Sequence, residues 1–274
     1  MAEIRIAHCS ATGRRVRPYP ALAGLRIGCV QYLNSKPLIH GYDGDVIFDH
    51  PSGLARDLAA GKLDVALVPT FEALRTPHYT LVEGVSIACD GPVHSVFLAH
   101  CGPLAEVRRI AVDPASLTSV HLLQVLLREY HGLRPQLLEL SAFPADCDAV
   151  LLIGNQAIAF RERDAGVHRI LDLGEEWHAR TSLPFVFAPW LLRPGLPHAS
   201  DVAADLRALK DHGLAHLAEI IRAEPRDPAF TRRYLTQHIR FSLSAREKAG
   251  IAKFRELLAK HGFITDPVTP LRYG

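Results

Sequence analysis

The 274-residue chain lacks the marks of several large protein classes. Its charge is nearly balanced, with 31 basic and 29 acidic residues and a formal net charge of +2. That balance offers no polyanion-binding surface, so nucleic acid is excluded as a partner. No apolar run approaches the roughly 18 residues of a membrane span, so no membrane partner is expected. The basic N-terminus, "MAEIRIAHCSATGRRVRPYPALAG", has no apolar stretch of the length that export requires. Residues 1–24 are expected to form a loosely ordered extension of a cytoplasmic protein. Five cysteines occur (Cys9, Cys29, Cys89, Cys101 and Cys147), and no two make a CxxC pair. Apolar neighbours in "IGCVQY" and "VSIACD" mark reduced core thiols. No GxGxxG or phosphate-binding loop is present, which disfavours dinucleotides and nucleoside triphosphates. Fifteen histidines are scattered along the chain. His212 and His216 stand four apart, but no glutamate completes an H-E-x-x-H motif and Gly213 interrupts the turn, so no metal site is expected.

What is present is an alternation of strands and helices. The 48% hydrophobic content is enough for one large domain or two lobes with substantial cores. Strands are expected at 25–30, 45–50, 64–69, 93–100, 108–113, 135–140, 148–154 and 185–192. Helical spacing separates several of them, as in "PSGLARDLAAGK", stopped by Gly61, and "LTSVHLLQVLLREYHG", stopped by Gly132. Beyond residue 198 the pattern is helical throughout, and Ser244 with Glu247 reads as a capping box. The fold class expected is α/β, with two runs of βα units around a cleft. One lobe would comprise 25–102 plus 190–274, the other 103–189.

Four strand-to-helix turns carry small polar residues: "YLNSKP" (32–37), "VPTFE" (68–72), "VDPASLTS" (112–119) and "LIGNQA" (152–157). Each alone is explained by helix capping. Together, and with Ser95 in "GPVHSV", they suggest one anion site. Ligands of open α/β sheets bind beyond the strand carboxyl ends, where helix N-termini present free N–H groups. The candidate ligand-binding residues are Tyr32, Ser35, Thr70, Thr118, Ser119, Gly154 and Asn155.

The segments "RIGCVQYLNSKPLIHGY", "PSGLARDLAAGKLDVALVPTFEAL", "GVSIACDGPVHSVFL", "RIAVDPASLTSVHLLQVLL", "DAVLLIGNQAI", "DLGEEW" and "LPFVFAPWLLRPG" carry a resemblance. Over residues 25–274 the chain resembles the chorismate dehydratases of the futalosine route to menaquinone. The resemblance implies the two-lobed fold of type 2 periplasmic binding proteins with the ligand between the lobes. It also implies that chorismate, a small dicarboxylate, loses water to give 3-[(1-carboxyvinyl)oxy]benzoate. Two positions depart from the family pattern. Asn155 stands where Asp is usual, and Gln31 where Ser is common.

That reaction takes a proton from the ring carbon bearing the enolpyruvyl ether and hydroxide from its neighbour. Charge left on the ring spreads into the ring carboxylate, and fixed donors around that group would stabilise it. The product is aromatic, so no metal or redox cofactor is demanded. Asn34 and Ser95 are expected to do catalytic work, Asn34 by orienting the substrate and assisting the leaving hydroxyl. An amide is no base near neutral pH. His94 and Glu72 are the titratable candidates, but His94 and Ser95 would face opposite sides of a strand. With no obvious protein base, the substrate's own side-chain carboxylate is expected to take the proton, the enzyme supplying conformation and electrostatics. A non-catalytic cytosolic anion sensor and a 1,4-dihydroxy-6-naphthoate synthase remain rival readings. The oligomeric state is left open.

Overall fold

A computed structural model describes residues 19–113, 116–140 and 147–274. Along the chain come β1 (Ile27–Cys29), β2 (Val46–Phe48), α1 (Pro51–Ala59), β3 (Val65–Leu67), α2 (Thr70–Arg75) and β4 (Thr80–Cys89). A second run follows with β5 (Val96–His100), β6 (Arg109–Val112), α3 (Thr118–Tyr130), β7 (Gln136–Glu139) and β8 (Ala149–Ile153). It continues through α4 (Gly154–Arg163), β9 (Arg169–Asp172) and α5 (Leu173–Thr181). The chain then returns through β10 (Phe185–Leu192), α6 (Ala199–Ala215), α7 (Leu217–Ala223), α8 (Pro228–Arg233), α9 (Ala245–Lys260) and β11 (Arg272–Tyr273).

The strands form two sheets, one for each lobe. The first has the order β11-β4-β10-β3-β1-β2 and the second β7-β6-β8-β5-β9. Each sheet also holds one antiparallel strand, β10 beside β3 and β4 in the first and β5 beside β8 and β9 in the second, and β10 reaches the first sheet only after the second is complete. Parallel strands covered on both faces need continuous apolar runs, and β1, β3 and β8 supply them.

Sheet membership moves the expected lobe boundaries. β5 belongs wholly to the second sheet, so the first crossing lies between Cys89 and Val96 rather than at 102. β10 belongs wholly to the first, so the return lies between Thr181 and Phe185 rather than at 190. The expectation for residues 1–24 also changes at its end. Tyr19 and Leu22 are buried in the core, and the Ala21 N–H donates to Asp205 at 2.7 Å; residues 1–18 lie outside the described residues. β4, the longest strand, went unpredicted because Glu83 and Gly84 break its apolar pattern; Gly84 sits at φ +78°. The Ser244–Glu247 capping box is formed at the head of α9.

Two glycines let elements approach closely. A Cβ on Gly28 would lie 2.7–2.8 Å from side-chain carbons of Leu63 and Leu54, so glycine lets α1 settle onto β1. Gly213 does not interrupt α6. A Cβ there would lie 1.8 Å from the Pro37 carbonyl oxygen, so its hydrogen lets α6 lie against the Leu33–Leu38 3-10 turn. His212 and His216 are stacked on each other at 4.1 Å and flank His40. Among the described residues no group of three His, Cys, Asp or Glu side chains could hold a metal ion.

Gly213→Ala sets about 1 kcal/mol of helix propensity against a backbone clash. Overpacking of this kind costs about 1–3 kcal/mol, more where the obstacle is backbone. We expect net destabilisation, read as a lower urea midpoint with an unchanged m-value; a midpoint equal to the wild type's would refute the close-packing role.

Candidate active site

The carboxyl ends of β1, β3, β6 and β8 all point to the cleft between the sheets, and their four turns line one cavity. Empty space there, open solvent at the mouth included, amounts to about 570 Å³. Its polar lining is Tyr32 and Asn34 from the first turn, Ser116, Thr118 and Ser119 from the third, Gly154 from the fourth, and Ser95. The rest is largely apolar, with Val30, Leu67, Ile87, Val93 and Phe187 among the lining residues.

No carboxylate, lysine, arginine or histidine is among these lining residues. The titratable side chain there, Tyr32, has its phenol pushed up to about 12 by burial and then by Asp113, so it stays protonated at neutral pH. The third turn compensates with neutral donors. α3 starts without a side-chain cap, and its first-turn N–H groups have no intrahelical acceptors. An anion there is favoured by those groups and the helix dipole. The buried Ser116 Oγ is beside them with no hydrogen-bond partner among the described residues. Across the cavity Asn34 Oδ1 is equally unpaired, on a residue only 7% exposed. Buried polar atoms left open in this way are costly unless a ligand completes them.

Not every candidate reaches the cavity. The Ser35 hydroxyl sits 2.6 and 2.8 Å from the carbonyl oxygens of Val30 and Tyr32, and serves the turn itself. Thr70 donates to the Val186 carbonyl at 2.7 Å and is fully buried behind the lining. Thr118 accepts the Phe71 N–H at 3.1 Å, joining α3 of one lobe to α2 of the other while still facing the cavity. Asn155 lies in a second, outer depression with Gln31, Asp49, His50 and Gln156.

Both titratable candidates for the base stand outside the lining. Glu72 is 1% exposed and is paired with the Arg75 guanidinium. His94 adopts a left-handed conformation at φ 65° and packs its ring against Phe230 and His238. Burial first, then Arg161, His238 and Arg233, hold its pKa down to about 4. Asp172 explains this placement. Its carboxylate accepts the N–H groups of Val93 and His94 at 3.0 and 2.7 Å while capping α5 through Gly174 and Glu175. The pinned turn sends His94 outward and Ser95 inward.

Sequence reasoning missed Tyr234. Its ring is buried in a π-turn (Tyr234–His238), and its hydroxyl lies between two candidate residues. It donates to Ser95 Oγ at 2.8 Å and accepts from Asn34 Nδ2 at 3.2 Å. Within "PAFTRRYLTQHI", an aromatic on the apolar stripe of a helix is indistinguishable from a core residue. No local signal announces a partner 200 positions away.

Asn155 ties the lobes at the mouth. Its Oδ1 accepts the Leu33 N–H at 3.1 Å and its Nδ2 donates to the Gln31 carbonyl at 3.2 Å. A carboxylate could make only the first of these bonds. Arg226 adds a second tie from the C-terminal helices, with Nη1 2.9 Å from both Glu162 oxygens and Nη2 3.5 Å from the Asn155 carbonyl.

A family described as menaquinone biosynthesis matches residues 25–260. The chain belongs to that family. A chorismate dehydratase of Thermus thermophilus is 32% identical over 89% of this chain and 96% of its own. One from Campylobacter jejuni is 29% identical over 57% of this chain and 58% of its own. Among solved structures, protein AF1704 of Archaeoglobus fulgidus superposes with a TM-score of 0.70 at 17% identity, covering 88% of this chain and 98% of that one. A Candida albicans protein with the generic periplasmic binding protein fold gives 0.62 at 15% identity, covering 88% and 91%. The alkanesulfonate-binding protein SsuA of Xanthomonas axonopodis, bound to MOPS, gives 0.59 at 18%, covering 89% and 95%. The two-lobed, periplasmic-binding-protein-like fold expected for this menaquinone-biosynthesis family member is therefore present. Among the described residues no helix is long and apolar enough to cross a membrane.

Asn155→Asp should loosen the contact between the lobes, because it removes one inter-lobe donor and sets a carboxylate against a carbonyl. Small-angle scattering of the ligand-free protein should report a larger radius of gyration; an unchanged profile would deny Asn155 this role. His94 gives a pH prediction. Its folded-state pKa of about 4 lies below the ordinary 6.5, so the unfolded chain binds the proton first as pH falls. The stability this group contributes is complete above pH 6.5 and is lost progressively toward pH 4. His94→Gln should flatten that part of a stability–pH curve measured by urea unfolding, and an unaltered acid limb would contradict the assignment.

Proposed function

We propose that this chain dehydrates chorismate to 3-[(1-carboxyvinyl)oxy]benzoate in menaquinone biosynthesis. Family membership and the chorismate dehydratase relatives support the reaction. The observation that carries the mechanism is the absence of any acid or base suited to neutral pH among the residues lining the cavity. A site of this kind can bind, orient and stabilise charge, but it cannot take a proton itself.

The substrate brings its own base. The carboxylate of the enolpyruvyl side chain takes the proton from the ring carbon that bears the ether. The electron pair left behind spreads through the conjugated double bond into the ring carboxylate. That carboxylate sits at the N-terminus of α3, where the first-turn N–H groups and the Ser116 and Ser119 hydroxyls stabilise it as its charge grows. The pair then re-forms a ring double bond as the neighbouring carbon releases hydroxide. Hydroxide recovers one proton, water leaves, and the ring is aromatic. Asn34 and Ser95 hold the hydroxyl-bearing carbon in the geometry for elimination, while Tyr32 packs on the ring against Gly154. A Cβ on Gly154 would lie 2.8 Å from the Tyr32 ring, so glycine at that turn leaves the ring its place.

Incubating the purified protein with chorismate should give the benzoate product, followed by ultraviolet absorbance and mass. Asn34→Ala should lower kcat on the order of a hundredfold while changing substrate affinity only a few-fold, because the residue acts on the transition state. Tight chorismate binding with no product would instead make the chain a receptor.

A further inference from the structure

Asn34, Tyr234 and Ser95 form a hydrogen-bond chain whose direction is fixed from one end to the other. Asn34 Nδ2 can only donate, so Tyr234 Oη accepts from it at 3.2 Å. The phenol hydrogen then goes to Ser95 Oγ at 2.8 Å. Ser95 Oγ therefore serves as acceptor on that side, and its own hydrogen is left to point elsewhere. Ser95 is fully buried and lines the cavity, and among the described residues no acceptor takes that hydrogen. At the other end, Asn34 Oδ1 is a buried acceptor with no donor among the described residues. The chain thus presents one donor and one acceptor to the same cavity, both anchored on a single phenol oxygen.

We infer that Tyr234 is a positioning residue that makes Asn34 Oδ1 and Ser95 Oγ–H into a subsite for a neutral hydroxyl group. An alcohol is donor and acceptor at a single atom, as neither a carboxylate nor an ammonium is, and it completes both ends of the chain. Its oxygen accepts from Ser95 and its hydrogen goes to Asn34 Oδ1. A carboxylate fits poorly there, since its lone pairs would face those of Asn34 Oδ1. Carboxylates are directed instead to the α3 N-terminus, where every free group is a donor. The two ends of the cavity consequently fix which way round a hydroxy acid binds. On the proposed reaction, on which this inference rests, the group held by Asn34 and Ser95 is the ring hydroxyl that departs. The donor from Ser95 then strengthens as negative charge gathers on the leaving oxygen. Polarisation along the chain adds to it, since each bond strengthens the next.

The burial of Tyr234 favours this role over a purely structural one. A phenylalanine would fill the same space in the core without a polar atom to pair. Tyrosine instead sits on a π-turn, a local irregularity of a kind that recurs at functional sites.

The test uses the full chain and two ligands that differ at the critical group: chorismate, which carries the hydroxyl, and 3-[(1-carboxyvinyl)oxy]benzoate, which lacks it. Tyr234→Phe frees both the Asn34 amide and the Ser95 hydroxyl. We expect kcat/KM for chorismate to fall tenfold to a hundredfold, of the order of one or two hydrogen bonds. The dissociation constant for the benzoate, measured by calorimetry, should stay within about twofold. In the Ser95→Ala background, adding Tyr234→Phe should cost much less than it does alone, because the two act through one chain. Equal losses for both ligands, or full additivity with Ser95→Ala, would overturn the inference. If Tyr234→Phe does not fold, Ser95→Ala carries the same comparison, with chorismate turnover falling and benzoate affinity holding. Wild-type protein that neither binds nor converts chorismate would overturn the proposed reaction and this inference together. Wild-type turnover with an unsplit effect of Tyr234→Phe overturns the inference alone.

Discussion

A phenol buried as completely as that of Tyr234 must have its hydroxyl paired, and this requirement organises the cleft. Its two partners come from distant segments, Asn34 after β1 and Ser95 at the end of the crossing that leads into β5. Satisfying one oxygen therefore brings three distant pieces of chain to a single point. Around it the turns fall into place for separate reasons. Asp172 pins the Val93–His94 turn that aims Ser95, and Gly213 lets α6 press on the turn that carries Asn34. The Ser35 hydroxyl holds the same turn from within.

On the proposed reaction the site handles charge with no charged side chain among its lining residues. Four strand-end turns converge, yet the donors they offer are hydroxyls, amides and backbone N–H groups. A lysine or arginine would bind a dianion more tightly in the ground state, but tight uniform binding does not speed a chemical step. Fixed neutral dipoles bind more moderately and leave room for their contribution to rise as charge develops. The charged groups nearby are kept outside: Arg161 bonds Asp172, Arg226 bonds Glu162, and Arg75 bonds Glu72. Each guanidinium is held by an acid before it could compete for a ligand.

Much of this plan could be read in the sequence, and the rest could not, for identifiable reasons. Strand ends are legible because a buried apolar run must stop where small polar residues begin. That was enough to bring Tyr32, Asn34, Ser95, Thr118, Ser119 and Gly154 to one cavity. It was not enough to tell a hydroxyl that faces the cavity from one that turns back on its own backbone, as Ser35 and Thr70 do. That difference is a matter of side-chain rotamer and leaves no mark on composition or spacing. The lobe boundary was displaced at β5 and β10 because a strand's apolar pattern does not say which sheet it joins. Asn155 was placed among ligand-binding residues because it occupies a helix start, whereas its contacts run to the backbone of the opposite lobe.

The late insertion of β10 into the first sheet has a consequence for the order in which the molecule is made. β10 lies between β3 and β4, so the first sheet has a gap in its middle until residues 185–192 have emerged. The second sheet is built from one continuous stretch, β5 to β9, and needs nothing that follows it. During synthesis the later-starting lobe can therefore complete itself while the earlier one waits with unpaired edges on β3 and β4. The first lobe closes last, around a partner already formed, and the buried phenol of Tyr234 arrives only after both walls of the cleft exist.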